Sequence, residues 1–325
     1  MKQKTPWAVV GASVVLAVVV ALFVGAEPIS AMRAVTDGSS FDHAVVFELR
    51  APRAILAALA GAALAASGAA LQSTLRNALA EPYLLGVSGG AAFGATLAVV
   101  VGFSGATILG AAILPISALL GGLVATLLVL SLGGDRGKRG DRVLLGGVVI
   151  NTIAAGLVTV GKNLTREART QELLHWLTGF LDLPGKNQLV VLSLYVAIGL
   201  GILLYDAPRL DLLVLGRDRA TTLGLDARAL EVRVFLAASL MTGAIVSQTG
   251  LIGFVGLVVP HASRFFVGPQ MRRLLPVTMV TGATFLVLCD AVSRCSFRVL
   301  HTEVPVGAVT ALLGGPVFLW LLRKR

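Results

Sequence analysis

The sequence predicts an all-α integral membrane protein with about ten transmembrane helices in a single domain, residues 1–325. Hydrophobic residues make up 56% of the 325 positions, charged residues only 14%, and the mean hydropathy is +0.87. A soluble domain carries roughly a quarter charged residues. The apolar stretches also have the length that a helix needs to cross the hydrocarbon layer, about 20 residues. These observations indicate a chain that lies mostly in lipid.

Each predicted span is an apolar stretch bounded by Gly, Pro or charged residues. A polar stretch at about 205–233 separates a first half, about 1–204, from a second half, about 234–325. An external loop is expected to end at FELRAPR (47–53), and the ninth span at Asp290. The predicted spans lie at about 7–26, 54–71, 89–109, 113–132, 143–160, 188–205, 234–249, 251–266, 274–290 and 304–322.

The net charge of +10 is explained by membrane topology. With the N-terminus inside and alternating spans, one side of the membrane receives eighteen of the 27 basic and eight of the 17 acidic residues. By the positive-inside rule, this basic side is the cytoplasmic one. The sequence therefore predicts a multi-pass protein in contact with lipid, with both termini in the cytoplasm and no nucleic-acid partner.

The second span and the segment after it depart from a simple apolar helix. Gly61, Ala65 and Gly68 permit close packing of neighbouring helices. The segment 73–95 is too polar for a span and too apolar for a free loop. Irregular backbone at membrane depth is tolerated only when it is buried in protein or lines a cavity. We therefore expect a broken, partly buried start to the third span, close to a pathway.

Polar or helix-bending residues within these segments are candidates for a translocation pathway, because polar groups in a membrane are costly unless they are paired or face water. Asn151 and Thr152 have an alternative role in hydrogen bonds between helices. The glycines and proline of 247–268 have an alternative role in bending a helix. The candidates are Gln72, Asn77, Asn151, Thr152, Gly253, Pro260 and His261.

Residues 205–233 form the most distinctive polar stretch of the chain. They hold five arginines and five acidic residues together with the apolar runs LDLLVLG and TTLGL. A connection between two helices needs only a few residues, and Asp206, Ala207 and Pro208 should break the preceding helix. We expect a short helix pair at the membrane surface that another protein grips; a solvated loop is the alternative.

No group of residues indicates catalysis, nucleotide binding or a metal site. The stretch GLVTVGKN at 156–163 falls short of a phosphate-binding loop, because Asn163 replaces Ser or Thr and no strand precedes it. Cys289 and Cys295 lack the spacing of a metal site and are either free thiols or an external disulfide. The sequence therefore predicts a chain that is not an enzyme and binds no cofactor or metal.

Seven stretches, in this order, resemble the permease family of iron-siderophore, haem and vitamin B12 ABC importers. They extend over nearly the whole chain and are specific in combination. The stretches are RAPR (50–53), GAALAASGAALQ (61–72), RNALAEPYLLG (76–86), LGLDAR (223–228), GLIGFVGLVVPHASR (250–264), LLP (274–276) and EVPVGAVTALLGGPVFLWLL (303–322).

The resemblance implies a type II ABC importer permease architecture that acts as a homodimer or pseudo-dimer with a second permease copy. It also implies two cytoplasmic ABC ATPase subunits, which bind ATP and magnesium, and a periplasmic or lipoprotein substrate-binding protein. The location it implies is the bacterial cytoplasmic (inner) membrane. Transport would proceed by alternating access, without covalent chemistry in this chain.

Two docking sites follow from the same resemblance. Arg50, Arg53 and Arg294 match family arginines that meet acidic residues of the binding protein; anchoring at the membrane surface is their alternative role. The segment 205–233 matches the part of the family that docks into a cleft of the ATPase. Its coupling residues are Leu215, Gly216, Arg217, Arg219, Ala220, Thr222, Leu223, Gly224 and Leu225.

The sequence departs from the family pattern in three places. Ala78 stands where Pro is usual, and Gly179-Phe180 where a Gly-Ser pair is usual. The interval between Arg294 and Glu303 is longer than usual, which makes Arg298 an alternative docking residue.

The cargo and the energy source leave alternatives open. An iron(III)-siderophore is the default cargo, with cobalamin and haem as alternatives. The rival class is an ion-coupled secondary transporter, which predicts a functional carboxylate within the membrane. Asp290 is the nearest candidate for such a carboxylate. A membrane-anchored enzyme is a third class, and it lacks any cluster of catalytic residues.

Overall fold

The computed structural model describes residues 7–103, 108–132, 139–164 and 177–323, and this part of the chain is helical without strands. A π-helical turn, Val45–Arg50, and a 3₁₀ turn, Tyr83–Leu85, supplement the α-helices. The helices are α1 (Trp7–Phe23), α2 (Ala31–Thr36), α3 (Phe41–Ala44), α4 (Ala51–Leu75), α5 (Val87–Val101), α6 (Ile108–Leu132), α7 (Arg139–Leu164), α8 (Lys186–Leu213), α9 (Arg217–Thr222), α10 (Ala227–Thr249), α11 (Val255–Val267), α12 (Met271–Leu300) and α13 (Val306–Arg323).

The described helices confirm the predicted all-α membrane fold. Five of them are long and apolar enough to cross a membrane: α4 with the turns before it, α7, α8, α10 and α12. Five shorter apolar helices, α1, α5, α6, α11 and α13, correspond to the remaining predicted spans. The predicted spans and the observed apolar helices therefore agree in number and order.

α4 and α10 form the centre of the bundle, where most of their apolar residues are buried. Glycines permit close contacts of α4: a Cβ at Gly61 would overlap with the carbonyl oxygen of Gly282 on α12. A Cβ at Gly68 would overlap with the carbonyl oxygen of Gly256 on α11. These contacts agree with the close packing predicted for the small-residue face of the second span.

The predicted helix break at Asp206, Ala207 and Pro208 is wrong, because α8 continues through Pro208 to Leu213. Pro208 removes one backbone donor, but the fully buried Asp206 holds this turn through ion pairs. The helix pair expected at 205–233 therefore consists of the end of α8 and one short helix, α9.

Two other predicted boundaries also differ from the structure. The helix of the ninth span does not end at Asp290, because α12 continues to Leu300. The predicted loop ending in FELRAPR is helical, and it runs from α3 through the π-helical turn into α4. In both places charged side chains interrupt the hydropathy pattern, but partners on other helices pair with them and the helix continues.

The broken start predicted for the third span is present. Ala80, Glu81 and Pro82 are buried in the irregular segment between α4 and α5. Gly86, with φ +85°, provides the left-handed residue that starts α5. Cys289 and Cys295 both lie on α12 as free thiols.

Candidate functional site

The two charged regions identified in the sequence lie at opposite ends of the helix bundle. At the start of α12, the backbone N–H of Met271 donates to the carboxylate of Asp211 on α8, 2.6 Å away. Asp290 lies further along the same helix, about 29 Å away at 1.5 Å per residue, which is close to the thickness of the hydrocarbon layer. We call residues 205–233 the α9 end, and the cluster of Arg53, Asp290, Arg294 and Glu303 the Arg53 end.

The α9 end presents a short helix with apolar side chains turned away from the bundle. Gly216 (φ +121°) precedes α9 and Gly224 (φ +82°) follows it, both with backbone angles that favour glycine. Ala220 is fully buried, whereas Leu215 and Leu223 are exposed. Adjacent exposed apolar groups on a charged segment are typical of a contact surface.

All nine predicted coupling residues belong to this one turn–helix–turn unit. Arg219 and Thr222 are exposed beside the two leucines, while Arg217 and Leu225 are half-buried. Ala220 faces the bundle, while the exposed members of the set lie on the outer side of this unit; their coupling role remains a prediction.

Charged side chains fasten the α9 end to the bundle. Asp206 accepts from Arg209 Nη1 at 2.8 Å and from Arg233 Nε at 2.9 Å, which ties α8 to α10. The guanidinium of Arg76, just after α4, donates to the carbonyl oxygen of Val214 at 2.7 Å. The segment that carries α9 is thus linked directly to α4 and α10.

The Arg53 end is a network of ion pairs among three segments. Arg53, near the start of α4, donates from Nε to Asp290 Oδ1 on α12 at 2.7 Å. Its Nη1 and Nη2 each donate to Glu303 Oε2 at 3.1 Å, in the connection between α12 and α13. Asp290 also accepts from Arg294 Nε at 3.0 Å. These carboxylate partners were missed from the sequence, although both acids were noted separately.

Further guanidinium groups bind the carboxyl-terminal end of α1. Arg50 donates to the carbonyl oxygens of Leu22 and Glu27 at 3.1 and 2.7 Å. Arg294 donates to Ala21 O at 2.9 Å, and Arg298 to Ala26 O at 3.0 Å. Cations are favourable at the carboxyl-terminal end of a helix, because its free carbonyl groups carry partial negative charge.

The three predicted docking arginines lie close together but differ in their contacts. Arg50 and Arg294 are buried and hold the end of α1. Arg53 is bound to Glu303, whose side chain is partly exposed. Of the three arginines, Arg53 is therefore the most accessible to a partner protein. A docking role for these residues remains a prediction.

The predicted pathway residues do not converge on one site. Gln72, at the end of α4, donates to Gly256 O at 3.0 Å and accepts from Arg264 Nη1, so it joins α4 to α11. Asn151 on α7 donates to Tyr83 O at 2.6 Å and accepts from the backbone N–H of Gly89 at 3.1 Å. Both amides have the alternative role considered for Asn151, a hydrogen bond between segments.

The other predicted pathway residues are similarly dispersed. Asn77 accepts from the backbone N–H of Leu79 in the turn after α4. Thr152 is exposed and donates to the carbonyl oxygen one turn earlier. Gly253, Pro260 and His261 lie before or within α11, where Pro260 is buried and His261 half-buried. Their part in a pathway remains a prediction.

Among the described residues, two sizeable cavities between the helices contain no predicted pathway residue in their lining. A cavity of about 600 Å³ between α5, α6 and α7 has an almost entirely apolar lining. A cavity of about 300 Å³ between α6, α8 and α10 is lined in part by Asn187, Gln188, Ser247 and Gln248. These polar residues could not be singled out from the sequence, because they lie at the ends of predicted spans, where polar residues are ordinary.

Glu81 is a buried carboxyl group in the irregular segment between α4 and α5. Burial raises its pKa to about 7, although a hydrogen bond from the backbone N–H of Phe254 opposes the shift. Phe254 itself has a left-handed backbone, with φ +68°, immediately before α11. Gln72, at the end of α4, and Glu81, in the segment after it, therefore make two polar links to the start of α11.

Comparisons with known proteins match nearly the whole chain. The model of the FecCD transport family matches residues 13–324. A cobalamin import permease of Halobacterium salinarum is 39% identical over 86% of this chain and 74% of its own length. A hemin transport permease of Yersinia pestis is 36% identical over 85% of this chain and 82% of its own length. A solved metal-chelate type ABC transporter, in an inward-facing conformation, has a TM-score of 0.83 at 32% identity and 98% coverage of both chains.

Proposed function

The chain belongs to the FecCD transport family, as a membrane permease subunit of an ABC importer and not an enzyme, and we propose that it carries a bulky metal chelate. An iron(III)-siderophore is the first choice, with cobalamin and haem as alternatives. The relatives named for cobalamin and hemin transport support this class of cargo. The proposed location is the bacterial cytoplasmic membrane, with both termini in the cytoplasm.

The α9 end is proposed to dock onto an ABC ATPase. The observation that carries this proposal is the exposure of Leu215 and Leu223 on either side of the short helix α9. Asp206 and Arg76 connect this segment to the bundle. The ATPase would bind ATP and magnesium, and its conformational change would displace α9. ATP hydrolysis could then shift the bundle between its inward-open and outward-open states, provided that docking favours one of them.

The Arg53 end, about one membrane thickness away, is proposed to face the external substrate-binding protein. Charged groups at the rim of an interface steer association and set its register. Arg53 and Glu303 lie together on this end, and Glu303 is partly exposed. The position opposite the proposed ATPase surface supports the assignment.

A second copy of the chain is proposed to complete the transporter, together with two ATPase subunits. α7 and α8 support this proposal because most of their apolar side chains are exposed. Lipid covers part of such a surface and a second permease would cover the rest. The proposed pathway then lies between two copies, which agrees with the dispersal of polar residues within one chain.

An ion-coupled transporter is disfavoured by the surroundings of Asp290. This aspartate, the nearest candidate for an ion-coupling carboxylate, is bound by Arg53 and Arg294. Each of its two oxygen atoms accepts from a guanidinium group, Oδ1 from Arg53 and Oδ2 from Arg294, so the carboxylate serves as a link between α4 and α12 and has no oxygen without a protein partner.

Reconstitution with the ATPase tests the proposed coupling. We expect Arg217→Glu combined with Gly224→Asp to abolish transport-coupled ATP hydrolysis, because it reverses a charge on α9 and strains the turn after it. Uptake and ATP hydrolysis are measured in the same vesicles, and the thermal unfolding transition checks that the variant is folded. Arg33→Glu, a charge reversal on the exposed face of α2, is the matched control. Unchanged uptake in the double variant would contradict the coupling assignment.

Vesicles that contain the permease alone test the energy source. We expect no accumulation of cargo, whichever ion gradient is applied. Accumulation driven by a pH or sodium gradient, with no second polypeptide present, would overturn the proposed function.

A further inference from the structure

Arg53 is bound on all three of its nitrogen atoms by carboxylates from other parts of the chain. Asp290 accepts from Nε, and Glu303 accepts from Nη1 and Nη2. A carboxylate that accepts from both Nη groups of one guanidinium makes a strong, geometrically specific contact. Any external carboxylate that approaches this side of Arg53 therefore meets Glu303 already in place.

The two carboxylates differ in accessibility. The side chain of Asp290 is 1% exposed and is shared with Arg294, whereas the side chain of Glu303 is 33% exposed. Asp290 cannot leave without uncovering two guanidinium groups. Glu303 binds Arg53 alone among the described residues, and solvent reaches it, so it is the partner that can be exchanged.

The backbone around Glu303 is held independently of its side chain. The hydroxyl of Ser296 accepts from the backbone N–H of Val304 at 2.9 Å, and the hydroxyl of Ser293 donates to its carbonyl oxygen. The connection between α12 and α13 is thus fixed to α12 one residue after Glu303. The carboxylate of Glu303 can leave Arg53 while the connection keeps its place.

We propose that Glu303 is a displaceable counter-ion of Arg53. It occupies the guanidinium when no partner is docked, and it yields this position to a carboxylate of the external substrate-binding protein. This inference rests on the proposed docking function of the Arg53 end. Exchange of one carboxylate for another keeps Arg53 paired at every stage, so its guanidinium charge is never buried without a counter-ion. It also weakens docking, because the incoming carboxylate must displace an existing contact.

The dissociation constant of the importer's substrate-binding protein from the permease in lipid nanodiscs tests the proposal. We expect Glu303→Gln to tighten docking about tenfold, because the neutral amide competes less well for Arg53. Glu48→Gln is the matched control. It removes one negative charge from an exposed side chain that lies five residues before Arg53 on the same helical stretch. The control should stay within about twofold of the wild type, as expected for an exposed charge.

The outcomes separate this proposal from the proposed function. If the wild-type permease binds no substrate-binding protein, the proposed docking is overturned and the inference with it. If the wild type binds and Glu303→Gln has an equal or weaker affinity, only the inference is overturned, because Glu303 is then a structural or direct docking residue.

A measurement without the partner examines the exchangeable contact itself. Phenylglyoxal modifies accessible arginines, and mass spectrometry reports the modified fraction at Arg53. We expect a severalfold increase in Glu303→Gln and a smaller one in Glu303→Asp, which keeps the charge on a shorter side chain. Equal modification of Arg53 in the wild type and both variants would contradict the proposal. Thermal unfolding of each variant confirms that the bundle is intact.

Discussion

Each end of the bundle contains a buried aspartate shared by two arginines, but the arginines differ in their access to solvent. At the α9 end, Asp206 binds Arg209 and Arg233, whose side chains are 36% and 44% exposed. At the Arg53 end, Asp290 binds Arg53 and Arg294, which are only 15% and 7% exposed. The same arrangement of charges is therefore shielded from solvent at the Arg53 end and partly solvated at the α9 end.

This difference explains how the two ends can act differently. The arginines at the Arg53 end have carboxylate or carbonyl partners inside the protein, so α1, α4 and α12 are held together there. At the α9 end, the guanidinium groups of Arg209 and Arg233 keep part of their surface in solvent next to an exposed helix. Under the proposed function, a partner at the α9 end would meet ready contacts, while one at the Arg53 end would exchange an existing contact.

Asp290→Asn should produce the largest effect on stability. It leaves two buried guanidinium groups with a neutral partner, and breaking a buried charge pair costs about 3–5 kcal/mol. The measurement is the free energy of unfolding in detergent micelles by denaturant titration. Glu48→Gln, at an exposed acid before α4, is the control and should change little. A loss no larger than that of the control would show that the closed network contributes nothing to stability.

Glu81 extends the comparison to a buried acid that has no ion pair among the described residues. Its pKa is raised from 4.5 to about 7 by burial. The folded state therefore holds a proton that the unfolded state releases between these values, so stability is highest below about pH 4.5 and falls as the pH rises to about 7. The loss amounts to about 3 kcal/mol, since one pKa unit corresponds to about 1.4 kcal/mol.

The check for Glu81 is the pH dependence of unfolding. Glu81→Gln should flatten the slope between pH 4.5 and 7 relative to the wild type. A variant with the wild-type slope would show that another group titrates in this range.

Asp206→Asn should destabilise the protein less than Asp290→Asn. The side chains of Arg209 and Arg233 can turn toward water when their carboxylate is neutralised, because both are more than a third exposed. The same denaturant titration measures the effect. Equal losses for the two variants would mean that solvent access does not distinguish the two ends.

Arg76→Met should have the smallest effect on stability and a larger one on coupling. Arg76 is exposed, and its hydrogen bond to Val214 O contributes roughly 1 kcal/mol or less. The same bond connects the segment before α9 to the end of α4, so its loss should lower the cargo transported per ATP hydrolysed. Arg76→Lys keeps the charge and should retain part of the coupling; an unchanged ratio in Arg76→Met would remove Arg76 from the coupling route.

Much of the fold could be predicted because membrane insertion imposes a local signal. Apolar length identified the ten apolar helices of the described residues, and small residues identified the face of α4 that packs closely against α11 and α12. The boundaries at Asp206 and Asp290 could not be predicted, because a charge in an apolar stretch looks like an end. Whether the helix continues depends on partners such as Arg53, which is 237 positions from Asp290.

The contacts within the candidate sites could be predicted unevenly for a similar reason. The predicted coupling residues are contiguous in the sequence, so one stretch contains all of them. The carboxylate partners of Arg53 could not be predicted, since Asp290 and Glu303 lie far from it in the sequence. The pathway candidates were chosen for their polarity alone, and most of them satisfy their hydrogen bonds within the chain.

The short length of α11 affects the relation of this protein to the bilayer. Its thirteen residues rise about 20 Å, whereas the thirty residues of α12 rise about 45 Å. Neighbouring helices of such unequal height cannot both match a hydrocarbon layer of about 30 Å. The length of the lipid acyl chains therefore affects the two helices in opposite directions. In a thicker membrane α12 needs less tilt, whereas a thinner membrane reduces the mismatch at α11.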